Sequence, residues 1–198
     1  MTEVATSAAD AAETTADHWV VDTRASRFTV RAFASGILSA MGHSPTIGIR
    51  TFSGGMRFDP AQSKASEFQL IVKSSSLSVL DDISDKDRRE MERLMNSEVL
   101  ETSNFPEIRY EAQAIAVAKM ADALFSAKLD GSLTLHGVTR RESIAARVAW
   151  MGAMLRASGE FSLSQSNYGI KPVSVAGGAL KLKDELKFSF EIVARKQE

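Results

Sequence analysis

Hydrophobic and polar residues alternate with a period of two along most of the chain. From Arg27 the order Arg-Phe-Thr-Val-Arg-Ala-Phe puts Phe28, Val30 and Ala32 on one face and Arg27, Thr29 and Arg31 on the other. Successive side chains of a strand point to opposite sides, so this is the signature of an antiparallel strand with one buried face. The same rhythm predicts strands over 47–58 (Phe52, Gly54, Met56, Phe58 inward), 65–73 (Phe68, Leu70, Val72) and 107–117 (Ile108, Tyr110, Ala112). It returns over 123–135 (Phe125, Ala127, Leu129, Leu133), 140–150 (Ile144, Ala146, Val148, Trp150), 154–163 (Leu155, Ala157, Phe161, Leu163) and 184–194 (Leu186, Phe188, Phe190, Ile192). Turn chemistry at Asp59-Pro60, His136-Gly137, Met151-Gly152 and Gly177-Gly178 separates them. In this reading Leu70, Val72, Leu129, Phe161 and Phe188 point inward, and Arg31, Lys73, Lys128 and Lys187 point outward.

One segment breaks the rhythm. Over 85–98, Met91, Leu94 and Met95 fall at helical spacing among charged residues, and Ser84 or Asp85 is placed to cap the start. The apolar stripe is narrow, which suits a helix lying on a surface or acting as a lid over an opening. Asn104-Phe105-Pro106 returns the chain to strand, because the residue before proline disfavours helix.

Eight antiparallel strands, each with one apolar face, suit a closed up-and-down barrel that leaves no free edge. A two-sheet sandwich has the same period and stays open as an alternative. Eight strands enclose a space that side chains fill or that holds one small ligand. The inward faces mix large aromatics with small residues (Ala32, Gly54, Ala112, Ala127, Ala146, Ala157, Gly159), which either tighten the coiling or leave a cavity.

Composition narrows the function classes. The chain has 198 residues, a formal charge of −1 and no cysteine, which removes disulfides, thiolate metal sites and thiol nucleophiles. Near-neutral charge argues against a general nucleic-acid binder, and no apolar stretch is long enough for a membrane-spanning helix. Residues 1–17 hold Glu3, Asp10, Glu13 and Asp17 and no basic side chain, leaving 24 basic against 21 acidic residues in the rest. This predicts an acidic flexible tail over 1–17 and one barrel domain over 18–198. The tail lacks the basic and apolar regions of an export signal, so a cytoplasmic protein is expected.

Catalytic chemistry has little support. The histidines are His18, His43 and His136. His43 and His136 fall in predicted loops, and with Asp59 they would be the only candidates for a metal site or an acid–base pair. No His-x-x-x-His pair, Gly-x-Ser-x-Gly elbow or phosphate-binding glycine loop accompanies them. A structural hydrogen bond suits His136 better. The serines at 74–76 have no visible base. Neither a metal nor another cofactor is expected.

The order of several motifs resembles the YceI family. The likeness starts at Trp19-Val20-Val21-Asp22 and Ser26-Arg27-Phe28 and continues through Phe52-Ser53-Gly54-Gly55-Met56-Arg57-Phe58-Asp59-Pro60. It includes Lys86-Asp87-Arg88, Leu94 and Asn104-Phe105-Pro106-Glu107-Ile108, and it is strongest at Gly131-Ser132-Leu133-Thr134-Leu135-His136-Gly137-Val138-Thr139. Ser164-Gln165-Ser166-Asn167-Tyr168-Gly169-Ile170 stands where the family usually has Arg-x-Asp-Phe-Gly-Ile, so a charge pair common there is absent. The resemblance implies a lipocalin-like barrel that carries or sequesters polyisoprenoids or related long-chain lipids, commonly as a homodimer, with no established catalytic residues. The expected ligand contacts are Phe28, Val30, Phe52, Met56, Phe58, Phe68, Leu70, Val72, Phe125, Leu129, Leu133, Phe161, Phe188 and Phe190, with Met91, Leu94 and Met95 under the lid. Ala40-Met41-Gly42-His43 is expected at the barrel mouth, with His43 near a lipid head group. A filled barrel acting through protein partners, docked by the acidic tail or the lid helix, is the competing reading.

Overall fold

A computed structural model describes residues 16–35, 44–175 and 180–197, so His43 and the Gly177-Gly178 turn lie outside the described residues. The strands are β1 (Asp17–Val21), β2 (Arg27–Ser35), β3 (Thr46–Ile49), β4 (Phe52–Asp59), β5 (Lys64–Lys73) and β6 (Leu77–Val79). The helix α1 (Asp85–Leu94) follows, continued by a wider turn over Met95–Val99. After it come β7 (Glu107–Ala121), β8 (Leu124–Leu135), β9 (Val138–Met151), β10 (Met154–Ser164), β11 (Ser174–Val175) and β12 (Leu180–Lys196).

The first six strands are halves of three bent barrel strands. β1 and β2 both run antiparallel to one edge of β12, with Val21 opposite Ala194 and Arg27 opposite Glu191. Between them the Asp22 carboxylate accepts the N–H groups of Arg24 and Ala25, and the Ser26 hydroxyl exchanges hydrogen bonds with the backbone of Val193. The segment 47–58 bends in the same way at Arg50-Thr51, so that β3 pairs with β2 and β6 while β4 pairs with β1 and β5. The third bend is the short turn Ser74–Ser76, where the Ser76 hydroxyl donates to the Lys73 carbonyl (2.7 Å) and accepts the Thr51 N–H (3.0 Å). Counting each bent pair as one strand, and leaving aside the two-residue β11 that pairs only with β12, gives eight, joined in chain order and closed where β1 meets β12. The closed barrel, not the sandwich, is the fold.

Inward parity follows the alternation. In β8 every second residue from Phe125 to Leu135 is buried while Lys128 is exposed, and Arg31, Lys73 and Lys187 are exposed as well. Trp150 departs from expectation: it sits at the end of β9 beyond the packed interior and is 36% exposed. Its place at that end of the core is taken by Trp19, fully buried, whose indole N–H donates to the Phe58 carbonyl at 2.9 Å.

Two seams lack a continuous ladder. β9 and β10 pair only from Met151/Met154 to Arg147/Ser158. Beyond that point the turn Gln165–Tyr168 covers the gap: Tyr168 is fully buried, its hydroxyl donates to Glu142 Oε1 (2.7 Å), and the Arg140 guanidinium donates to the Asn167 carbonyl. The second seam is the outer edge of β6. Here Glu92 Oε1 accepts the Val79 N–H at 2.9 Å, and Arg88 donates to the carbonyls of Val79 and Asp81. One turn of α1 thus supplies the partners a neighbouring strand would have given. The helix starts at Ser84, whose hydroxyl oxygen accepts the Asp87 N–H at 3.1 Å.

Candidate functional site

The barrel encloses an apolar cavity of about 150 Å³. Its wall is built by strand parity. β2 gives Phe28 and Val30, β4 gives Met56 and Phe58, and β5 gives Phe68, Leu70 and Val72. β8 adds Phe125, Leu129 and Leu133, β10 adds Phe161, and β12 adds Phe188 and Phe190. The rings of Phe161 and Phe188 are stacked, 4.7 Å apart and 11° from parallel. The small residues Ala127, Ala146 and Ala157 also reach the wall, and they leave the room that larger side chains would take.

Four expected contacts are placed elsewhere. Phe52 is buried but packs edge-on against Phe28 (4.9 Å, 76°) outside the wall. Met91, Leu94 and Met95 do not line the cavity. Their helix lies along β6 and has no buried residue, although Met95, just past its end, packs against the core. The physical reason is the sealing of β6 by Arg88 and Glu92, which fixes the helix on that edge.

Other wall residues were not among the expected contacts. Ile49 and Leu77 come from the bent halves β3 and β6. Ile115 and Val117 come from β7 beyond a bulge between Ala112 and Ala114, which shifts the inward face by one residue. The switch of the large apolar residues from even positions (Ile108, Tyr110) to odd ones (Ile115, Val117) is the mark that bulge leaves in the sequence. Leu135 continues the parity of β8, whereas Ala65 lies beyond a bulge opposite Arg57 and Phe58 and is out of step with Phe68, Leu70 and Val72.

Polar chemistry inside is sparse and satisfied. Thr29 and Ser189 bond each other through their hydroxyls at 2.6 Å. The Tyr110 hydroxyl lies 3.0 Å from the Leu129 carbonyl oxygen and 3.1 Å from that of Glu142, sharing its one proton between them. Burial, followed by the nearby carboxylates of Asp130 and Glu142, pushes the Tyr110 phenol up to about 12. Burial and the bond to Glu142 also raise the Tyr168 phenol. Among the described residues no buried side-chain polar atom lacks a partner.

Among the described residues, His18 and His136 lie apart and each has its own partners. His136 occupies the first position of the two-residue turn His136-Gly137, where both residues have positive φ, as this hairpin turn requires. Its Nδ1 is 3.3 Å from the Tyr168 carbonyl oxygen, its Nε2 3.3 Å from Glu101 Oε1, and its ring packs on Phe105. His18 bonds Gln197. Asp59 caps the β4–β5 turn by accepting the N–H groups of Ala61 and Gln62, beside the end of the barrel that holds Phe58 and Phe125 and away from His136. The Ser74 hydroxyl donates to the Phe105 carbonyl at 2.7 Å. Among the described residues no group of three metal-ligating side chains converges, and no helix is long and apolar enough to cross a membrane.

Comparison with known proteins places this geometry. The family model described as "YceI-like domain" matches residues 19–194. A UPF0312 protein of Pseudomonas savastanoi is 26% identical over 172 residues, covering 83% of this chain and 82% of that protein. Among solved structures, a polyisoprenoid binding domain from Saccharophagus degradans aligns with a TM-score of 0.67 at 15% identity, covering 90% of this chain and 98% of that one. BcnA of Burkholderia cenocepacia aligns with a TM-score of 0.63 at 19% identity, covering 87% and 98%. At such identities the structural likeness speaks for the fold.

Proposed function

Because this chain belongs to the YceI-like family, we propose that it binds one long, neutral, apolar lipid in the barrel, as carrier or sequestering protein, and performs no chemistry on it. One observation carries the reading: the cavity wall is almost wholly apolar, and its few polar groups, the hydroxyls of Thr29, Ser189 and Tyr110, already have protein partners. Such a wall attracts a hydrocarbon by removing methylenes from water, worth about 0.8 kcal/mol per CH₂ before the costs of ordering the chain. It offers a buried carboxylate or phosphate no cation, and an unpaired buried charge is strongly penalised. The charged or polar end of a ligand therefore stays outside, and the buried part is hydrocarbon. A polyisoprenoid or the tail of an isoprenoid quinone has that form. The fold shared with the polyisoprenoid binding domain of S. degradans supports the same class.

Native mass spectrometry of the chain purified from its own host tests this. A stoichiometric adduct of isoprenoid mass is the expected result. A uniformly unliganded protein that also fails to take up detergent-solubilised polyprenol would overturn it and favour the filled barrel.

A further inference from the structure

We infer that the paired hairpin tips β7–β8 and β9–β10, which stand at the closed end of the barrel beside Phe125 and Leu155, anchor this lipid-binding protein on an anionic bilayer surface. The inference rests on the lipid-binding reading above. The two tips stand side by side, tied by the Trp150 N–H donating to the Ala123 carbonyl at 2.8 Å. Between them they expose Met120 (58%), Met151 (48%), Leu124 (36%) and Trp150 (36%), four of the five large apolar side chains that stand exposed among the described residues. Apolar side chains gathered on protruding turns suit insertion into a fluid layer. The Trp150 ring, with its N–H held by the Gly152 carbonyl at 2.6 Å, is the kind of group that settles at a bilayer interface.

Charge supplies the second, independent observation. Arg147 on β9 and Arg156 on β10 lie outward just behind the tips, beside Ser126 and Ala149 in register, and neither has an ion pair among the described residues. The acid at the tip, Asp122, is neutralised by Lys119 at 3.0 Å. An apolar tip with unpaired cations behind it matches an anionic headgroup layer over a hydrocarbon interior.

The two tryptophans make the test direct, because Trp19 is fully buried and only Trp150 reports the tip. Full-length protein is titrated with vesicles of phosphatidylcholine alone and with one quarter phosphatidylglycerol. Anionic vesicles should shift Trp150 emission to the blue, and brominated acyl chains should quench it. Arg147→Ala with Arg156→Ala should weaken that binding about tenfold or more, and Met120→Ser with Met151→Ser should abolish the shift while circular dichroism stays unchanged. No shift with either vesicle, or variants that bind as well as the parent, overturns the inference. So does sedimentation showing that the serine variant merely converts a dimer into monomers, which would assign the tips to a second copy of the chain. Loading of detergent-solubilised polyprenol is followed in parallel by native mass spectrometry. Loading without vesicle binding sinks the docking surface alone, and docking without loading sinks the cavity reading alone.

Discussion

Tyr110 shows how one side chain serves both wall and fold. Its ring lines the cavity, and its hydroxyl ties the carbonyls of Leu129 and Glu142 on two further strands. Gly131 makes room for it, since a Cβ there would fall 2.7 Å from the ring. Because burial raises the phenol from 10.0 to about 12, the folded state resists its ionisation more than the unfolded chain does. A raised folded value means that the contribution is complete below the unfolded value and lost as pH climbs from about 10 towards 12. The melting temperature should fall over that window, and Tyr110→Phe, which has no proton to lose, should fall less steeply. Parallel thermal melts at pH 9 and 11.5 decide it, and identical slopes would remove Tyr110 from the alkaline transition.

At the scale of the element, α1 works as a strand substitute. Arg88 and Glu92 satisfy the outer edge of β6, so removing both should expose the Val79 amide to solvent. Hydrogen exchange should accelerate at Val79 and across 85–98 in Arg88→Ala/Glu92→Ala, with β8 unaffected. By the same geometry Leu94→Asp should leave lipid affinity unchanged, since Leu94 does not line the cavity. A clear loss of affinity in that variant would restore the helix as a lid. The helix itself was legible in its spacing and cap, but its seat was not: edge sealing by an Arg and a Glu one turn apart looks in sequence like any solvated face. The bend at Arg50-Thr51 does leave a mark: two polar residues stand together there, and the inward apolar positions change parity from Ile47 and Ile49 to Phe52, Met56 and Phe58, a break that reading 47–58 as one strand passes over. β8 is the opposite case. It pairs along its length with β7 and β9, and its alternation in sequence is its burial in the barrel.

For the whole molecule the question is why a barrel of this size keeps an interior void when packing it would stabilise it. One end is closed by Trp19, Phe58, Phe125 and Leu155, all nearly inaccessible, which shows that the sequence can pack tightly where closure is needed. Farther along, alanine at 127, 146 and 157 holds the wall back. If the void serves a ligand, filling it should separate stability from binding. Ala127→Leu with Ala146→Leu places apolar volume in existing space, so the unliganded protein should melt no lower than the parent, or lower by only what local overpacking costs, about 1–3 kcal/mol. Ligand linkage then gives the readout. At a free ligand concentration a hundredfold above Kd a bound lipid adds about 2.7 kcal/mol, which for a chain of this length raises the melting temperature by roughly 5–10 °C. The parent should show that rise with polyprenol and the filled variant should not. Leu129→Asp, which puts an unpaired charge at the same depth, should fail to fold at all and controls for general damage. A filled variant that still gains the full thermal shift would mean that the lipid sits outside the barrel, and the cavity would lose its claim to be the site.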